Sequence, residues 1–124
     1  MRTSENNQVQ KNLVLTKAIC NVAKFYSLAG KDLSDIIGLS ESSVSRVIQG
    51  TKSIKPDTKE GEMALLLVRI YRSLNAMVGN NHEKAKAWLN SFNTYFQNKP
   101  IEEIKTITGL VSVLHYLDAM RGKL

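Results

Sequence analysis

Eighteen residues, LSDIIGLSESSVSRVIQG from Leu33 to Gly50, leave this chain few ways to fold. Leu33, Ile36 and Ile37 share one helix face through i, i+3, i+4 spacing, and Val44, Val47 and Ile48 do the same further on. Between the two runs Gly38 permits a left-handed turn, Leu39 is free to plug the core, and Ser40 has the chemistry of an N-cap. Gly50 supplies a C-terminal stop. Two short helices joined by so tight a turn read as a helix-turn-helix, whose second helix is shaped for the DNA major groove.

The same spacing picks out the face left over. At about 100° per residue, Ser42, Ser45, Arg46 and Gln49 point away from the apolar stripe of the second helix. Arg46 carries a planar fork suited to the O6 and N7 acceptors of guanine, and Gln49 suits adenine. Thr51, Lys52, Ser53 and Lys55 follow the stop, where a chain leaving the groove crosses a phosphate backbone. Ser40, Ser42, Ser43, Ser45, Arg46, Gln49, Thr51 and Lys52 are therefore candidate DNA contacts. A helical hairpin with a merely solvated polar face is the plainer alternative.

The rest of the sequence is bounded by charge and by what is missing. A net charge of +6 and a pI near 9.6 favour a nucleic-acid partner. The excess is not confined to the reading helix, because residues 1–60 and 61–124 each carry +3. Cys20 stands alone on an amphipathic helix, so it reads as a small buried side chain. The polar start MRTSENNQVQ is no signal peptide, and no apolar run is long enough to span a bilayer, so the expected setting is cytoplasmic, away from membranes.

Along the chain, residues 1–7 read as a disordered polar arm and 8–58 as the DNA-binding domain, with a helix from about Gln8 to Leu28 packing through Val9, Leu13, Ile19, Val22 and Tyr26. Ala29-Gly30 breaks that helix. Residues 59–124 read as a second helical domain. Its first helix, from Asp57 or Gly61 to Val78, is apolar around much of its circumference and is expected as the spine joining both halves. Asn81 caps a short helix through Trp88-Leu89, SFNTYFQNK is a loop, Pro100 opens the short helix PIEEIKTI, and Thr108 caps the last helix. The fold class is all-α.

The segment KAWLNSFNTYFQNKPIEEIKTITGLVSVLHYLDAMRG resembles the toxin-binding domain of Xre/MbcA/ParS-type antitoxins. The resemblance rests on Trp88-Leu89 at a helix end, Asn93 in a loop, Pro100 before a short helix, Gly109 before the last one, and Leu114 and Leu117 near the terminus. It departs in the loop, where the family places Pro-Asn, a leucine and a Gly-Gly pair, but this chain has Phe92-Asn93 followed by Phe96, Gln97 and Asn98. Xre relatives also carry glutamine near the start of the first helix of the motif; here Lys31 stands in as a point charge on phosphate. The resemblance implies a homodimer that binds operator DNA near its own gene and docks a toxin, in this family often a RES-domain protein that consumes NAD. Asn93, Tyr95 and Phe96, with the terminal Arg121, Lys123 and Leu124 at the toxin's active-site entrance, are the toxin contacts it implies.

Catalysis is not expected. His82 and His115 lie in no metal-spaced cluster, Cys20 has no evident base beside it, and no glycine-rich phosphate loop is present, so neither cofactor nor metal is expected. The aromatics Trp88, Phe92, Tyr95 and Phe96 suit core packing and a partner-facing patch better than a stacking platform for single strands, since few cations accompany them. A free-standing transcription regulator, whose C-terminal half dimerises or senses a ligand, is the alternative. So is an interaction module whose helix-turn-helix no longer binds DNA.

Overall fold

The computed structural model describes residues 2–122, which form an all-α fold; Asn93 and Asn98 make the one isolated bridge pair among them. The helices are α1 (Arg2–Phe25), α2 (Gly30–Ile37), α3 (Glu41–Gln49), α4 (Lys59–Met77), α5 (His82–Asn90), α6 (Pro100–Glu103) and α7 (Ile107–Gly122).

Local chemistry sets the borders. Gly38 and Gly50 take φ of 80° and 85° after α2 and α3, a left-handed conformation that a side chain would resist. Ser40 Oγ accepts from Ser43 N at 3.1 Å, and Asn81 Oδ1 accepts from Lys84 N at 3.1 Å, so both expected N-caps form. The cap of α7 is Thr106 and not Thr108: Thr106 Oγ1 accepts from Gly109 N at 3.0 Å, because the turn after the four-residue α6 ends there.

At its start α1 runs further than the sequence predicts. It begins at Arg2 and not near Gln8, since no breaker interrupts the segment and Glu5 sits in its first turn, where the dipole favours a carboxylate. Only Leu15, Ile19, Val22, Ala23 and Tyr26 reach the core, while Val9 and Leu13, expected on the packing face, are 57% and 58% exposed. The six-residue step from Leu13 to Ile19 turns them about 120° off the face of Ile19, Val22 and Tyr26, away from the core. The helix ends at Phe25, and Ser27 (φ 52°) makes the turn ahead of Ala29; Gly30 begins α2 and does not break α1. Ile48 is likewise half out, at 51%, leaving Val44 and Val47 to anchor α3.

The spine is α4. Ala64, Leu67, Val68, Ile70 and Leu74 are buried, and α4 packs against α1, α2, α5 and α7. Buried side chains from Leu15 to Leu117 form one hydrophobic cluster, so α1–α3 and α5–α7 share a core through this helix. A charged tie reinforces the join: Lys105 Nζ, between α6 and α7, lies 3.0 Å from Asp32 and 3.9 Å from Asp35 on α2, and 3.2 Å from Glu102.

Candidate functional site

Two surfaces carry the polar and aromatic groups singled out above. On α3, Ser42, Ser45, Arg46 and Gln49 are all exposed, as their spacing requires, while Val44 and Val47 face inward. Ser43 differs from its neighbours. It is 7% exposed, and its Oγ accepts from Arg46 Nη2 at 3.3 Å and from Lys52 Nζ at 3.1 Å. One buried hydroxyl thus holds two cations side by side. Among the described residues neither cation forms a salt bridge, so their charge is directed to solvent.

The segment after α3 is tied down as well. Thr16 Oγ1 on α1 accepts from Ile54 N at 2.8 Å and donates to the Asn12 carbonyl, while Ile54 is buried. That clamp fixes Lys52 and Lys55 at the end of α3. Thr51 Oγ1 donates to the Arg46 carbonyl, and Ser40 and Ser42 exchange a hydrogen bond at 3.2 Å, so Ser40 serves first as a cap. Gln49 Nε2 reaches Ser45 Oγ at 3.4 Å. Lys31 lies apart from this group, at the start of α2, exposed and 4.0 Å from Asp35. Cys20 lies beneath α3 and its Sγ donates to the Val47 carbonyl at 3.7 Å; burial pushes the thiol up, away from the reactive thiolate.

The second surface is aromatic. The loop between α5 and α6 closes through Asn93 and Asn98, whose backbones pair in both directions, and Asn93 Oδ1 accepts from Tyr95 N at 2.9 Å. Gln97 supplies the positive φ, 56°, that glycine provides elsewhere, and Gln97 Nε2 donates to the Thr94 carbonyl. The loop therefore keeps a fixed shape without glycine. It presents Tyr95 and Phe92, 68% and 62% exposed, while Phe96 turns inward. Behind them Tyr116 on α7 stacks on Trp88 with centroids 6.1 Å apart and meets Tyr95 at 4.8 Å and Phe96 at 5.2 Å. A groove of about 550 Å³ runs between Tyr95 and the outer side of α7, along Val111, Ser112, His115, Tyr116 and Met120.

Asn93, Tyr95 and Phe96 are thus brought together, but Arg121 is not among them. Arg121 lines a separate notch with Arg69 and Arg72 of α4, around Asp118. Ser73 Oγ, buried, donates to Asp118 Oδ1 at 2.6 Å, and Arg69 Nη2 lies 3.7 Å from Oδ2. Lys123 and Leu124 lie outside the described residues. Sequence reasoning missed His115, Tyr116 and Met120; their signal was the polar side of α7, opposite Leu110, Val113, Leu114 and Leu117. Among the described residues no group of three or more His, Cys, Asp or Glu is placed to hold a metal, and no helix is long and apolar enough to cross a membrane.

Comparison with curated proteins returned no match. Residues 73–123 match the family described as antitoxin Xre/MbcA/ParS C-terminal toxin-binding domain, a span that takes in the last turn of α4, the aromatic loop, the groove and Asp118. Over residues 73–123 the chain is therefore similar to the toxin-binding domain of Xre/MbcA/ParS antitoxins.

Proposed function

We propose that this chain is the antitoxin of a toxin–antitoxin pair that neutralises its toxin by direct binding and represses its own operon as a DNA-bound dimer. The family match over residues 73–123 carries the first part. The rigid loop supports it by holding Tyr95 and Phe92 out to water: large aromatics left exposed on a fixed frame are what a protein partner buries. The toxin is of the RES type, which consumes NAD, in keeping with the resemblance set out above.

Operator binding rests on a different observation, the Arg46–Ser43–Lys52 arrangement. The helix-turn-helix exposes an arginine positioned to read a base edge, with a lysine beside it for phosphate. The test is co-expression with the product of the neighbouring reading frame. Growth arrest by that product alone, relieved by this chain, is the expected result; if the chain binds its promoter but relieves nothing, it acts as a plain regulator.

A further inference from the structure

The exposed flank of α1 carries apolar side chains that the proposed function has not used. Glu5, Val9, Leu13 and Lys17 are spaced four apart, which places them on a single i±4 ridge, and all four are exposed. Neither Glu5 nor Lys17 takes part in a salt bridge among the described residues. The ridge is complementary to itself. Laid antiparallel on a copy with the two-fold axis at Lys11, Val9 meets Leu13 and Glu5 meets Lys17, each contact occurring twice. A parallel pairing sets Glu5 against Glu5 and Lys17 against Lys17, which repel.

We propose that α1 is the surface on which two copies of this chain meet, antiparallel, through Glu5, Val9, Leu13 and Lys17. The dimer itself belongs to the proposed function; what is added is where and in which register the copies join. The ridge spans about 18 Å of helix. A contact of that length falls short of the roughly 1,200 Å² of a standard interface, so the dimer is weak without DNA. Its geometry suits two reading helices. Cys20, which touches the Val47 carbonyl of α3, is nine residues from the axis at Lys11. The two α3 attachment points therefore lie about 27 Å apart along α1, before the outward offset of α3. Successive major grooves on one side of a duplex are about 34 Å apart.

Sedimentation equilibrium on the full chain, alone, from micromolar to millimolar concentration tests this without DNA or toxin. Wild type is expected to show a monomer–dimer equilibrium that Leu13→Glu abolishes. Glu5→Lys and Lys17→Glu should each weaken the dimer by about tenfold, since each turns two attractions per dimer into repulsions. The double variant Glu5→Lys/Lys17→Glu should restore it. A wild-type chain that stays monomeric, or a dimer that tolerates Leu13→Glu, overturns the interface. Failure of the double variant to recover overturns the register. Circular dichroism melting of each variant guards against unfolding, and all four positions are solvent-exposed. Promoter binding and growth rescue are read separately, so failure here leaves the antitoxin reading standing.

Discussion

Replacing Lys105 with methionine removes the ammonium that ties the segment between α6 and α7 to α2, while keeping the aliphatic stem. The side chain of Lys105 is 20% exposed, and its Nζ has two short contacts, 3.0 Å to Asp32 and 3.2 Å to Glu102, with Asp35 at 3.9 Å. Partly exposed pairs contribute about 0.2–1 kcal/mol each, and the variant leaves Asp32 and Glu102 without their cation while Asp35 keeps Lys31, so a loss of about 1–2 kcal/mol is expected. Asp32 holds the ammonium strongly enough to raise Lys105 above its ordinary value of 10.5, against the opposing effect of burial. A cation with a raised folded-state value contributes fully below that ordinary value and loses its contribution as pH rises through the raised one, so the wild-type advantage should fade only in strong alkali. Urea unfolding of Lys105→Met, Asp32→Asn and the double variant gives the coupling directly. About 0.5–1 kcal/mol is expected, weakening with salt. A coupling indistinguishable from zero refutes the view that this charge binds the halves together.

Arg46→Ala should lose about 1–3 kcal/mol of operator binding and relax preference at one base pair, as read by titrating matched and mutated operators; unchanged discrimination removes Arg46 from the readout. Lys52→Ala should weaken binding to all DNA alike and flatten the salt slope by about one, so an unaltered slope rules out its phosphate contact. Gly109→Ala would set a Cβ onto the Glu103 carbonyl oxygen and 2.9 Å from Thr106 Oγ1. Against a helix-propensity gain of about 1 kcal/mol, the crowding costs about 1–3, so a melting scan should show Tm lowered by several degrees, and a raised Tm contradicts the close approach. Tyr95→Ala should leave the fold intact, since the ring is mostly exposed, but abolish relief of growth arrest; full relief would take Tyr95 out of the toxin contact.

The sequence made legible what short-range bonds decide. Gly38, Ser40, Gly50 and Asn81 take their expected roles because a positive φ or a cap depends on three or four neighbouring residues. Periodicity marks apolar residues on each helix but, read loosely, merges separate faces: the six-residue step from Leu13 to Ile19 puts Val9 and Leu13 off the buried face, and Ile48 stands at the edge of its own. Thr106 and Thr108 are equivalent as caps on paper; the end of the preceding turn at Thr106 chooses between them. Ser43 sits among exposed serines in sequence, yet its burial beneath Arg46 and Lys52 depends on where the clamped segment after α3 returns. Pairs such as Ser73 with Asp118, or Lys105 with Asp32, leave no local trace because packing across the core brings them together.

Because the family boundary at Ser73 falls inside α4 and not in a linker, the two ends of this molecule are geared to each other by helical phase. One residue inserted into α4 before Ser73 would turn everything beyond it by about 100° and advance it by about 1.5 Å, whereas seven would nearly restore the rotation at a displacement of about 10 Å. Exchange of the N-terminal end between relatives is therefore governed by counting: a graft succeeds only when it arrives in step. Length changes in this helix are expected to come in multiples of its turn, and the joint behaves as a keyed shaft where a flexible tether would have accepted any length.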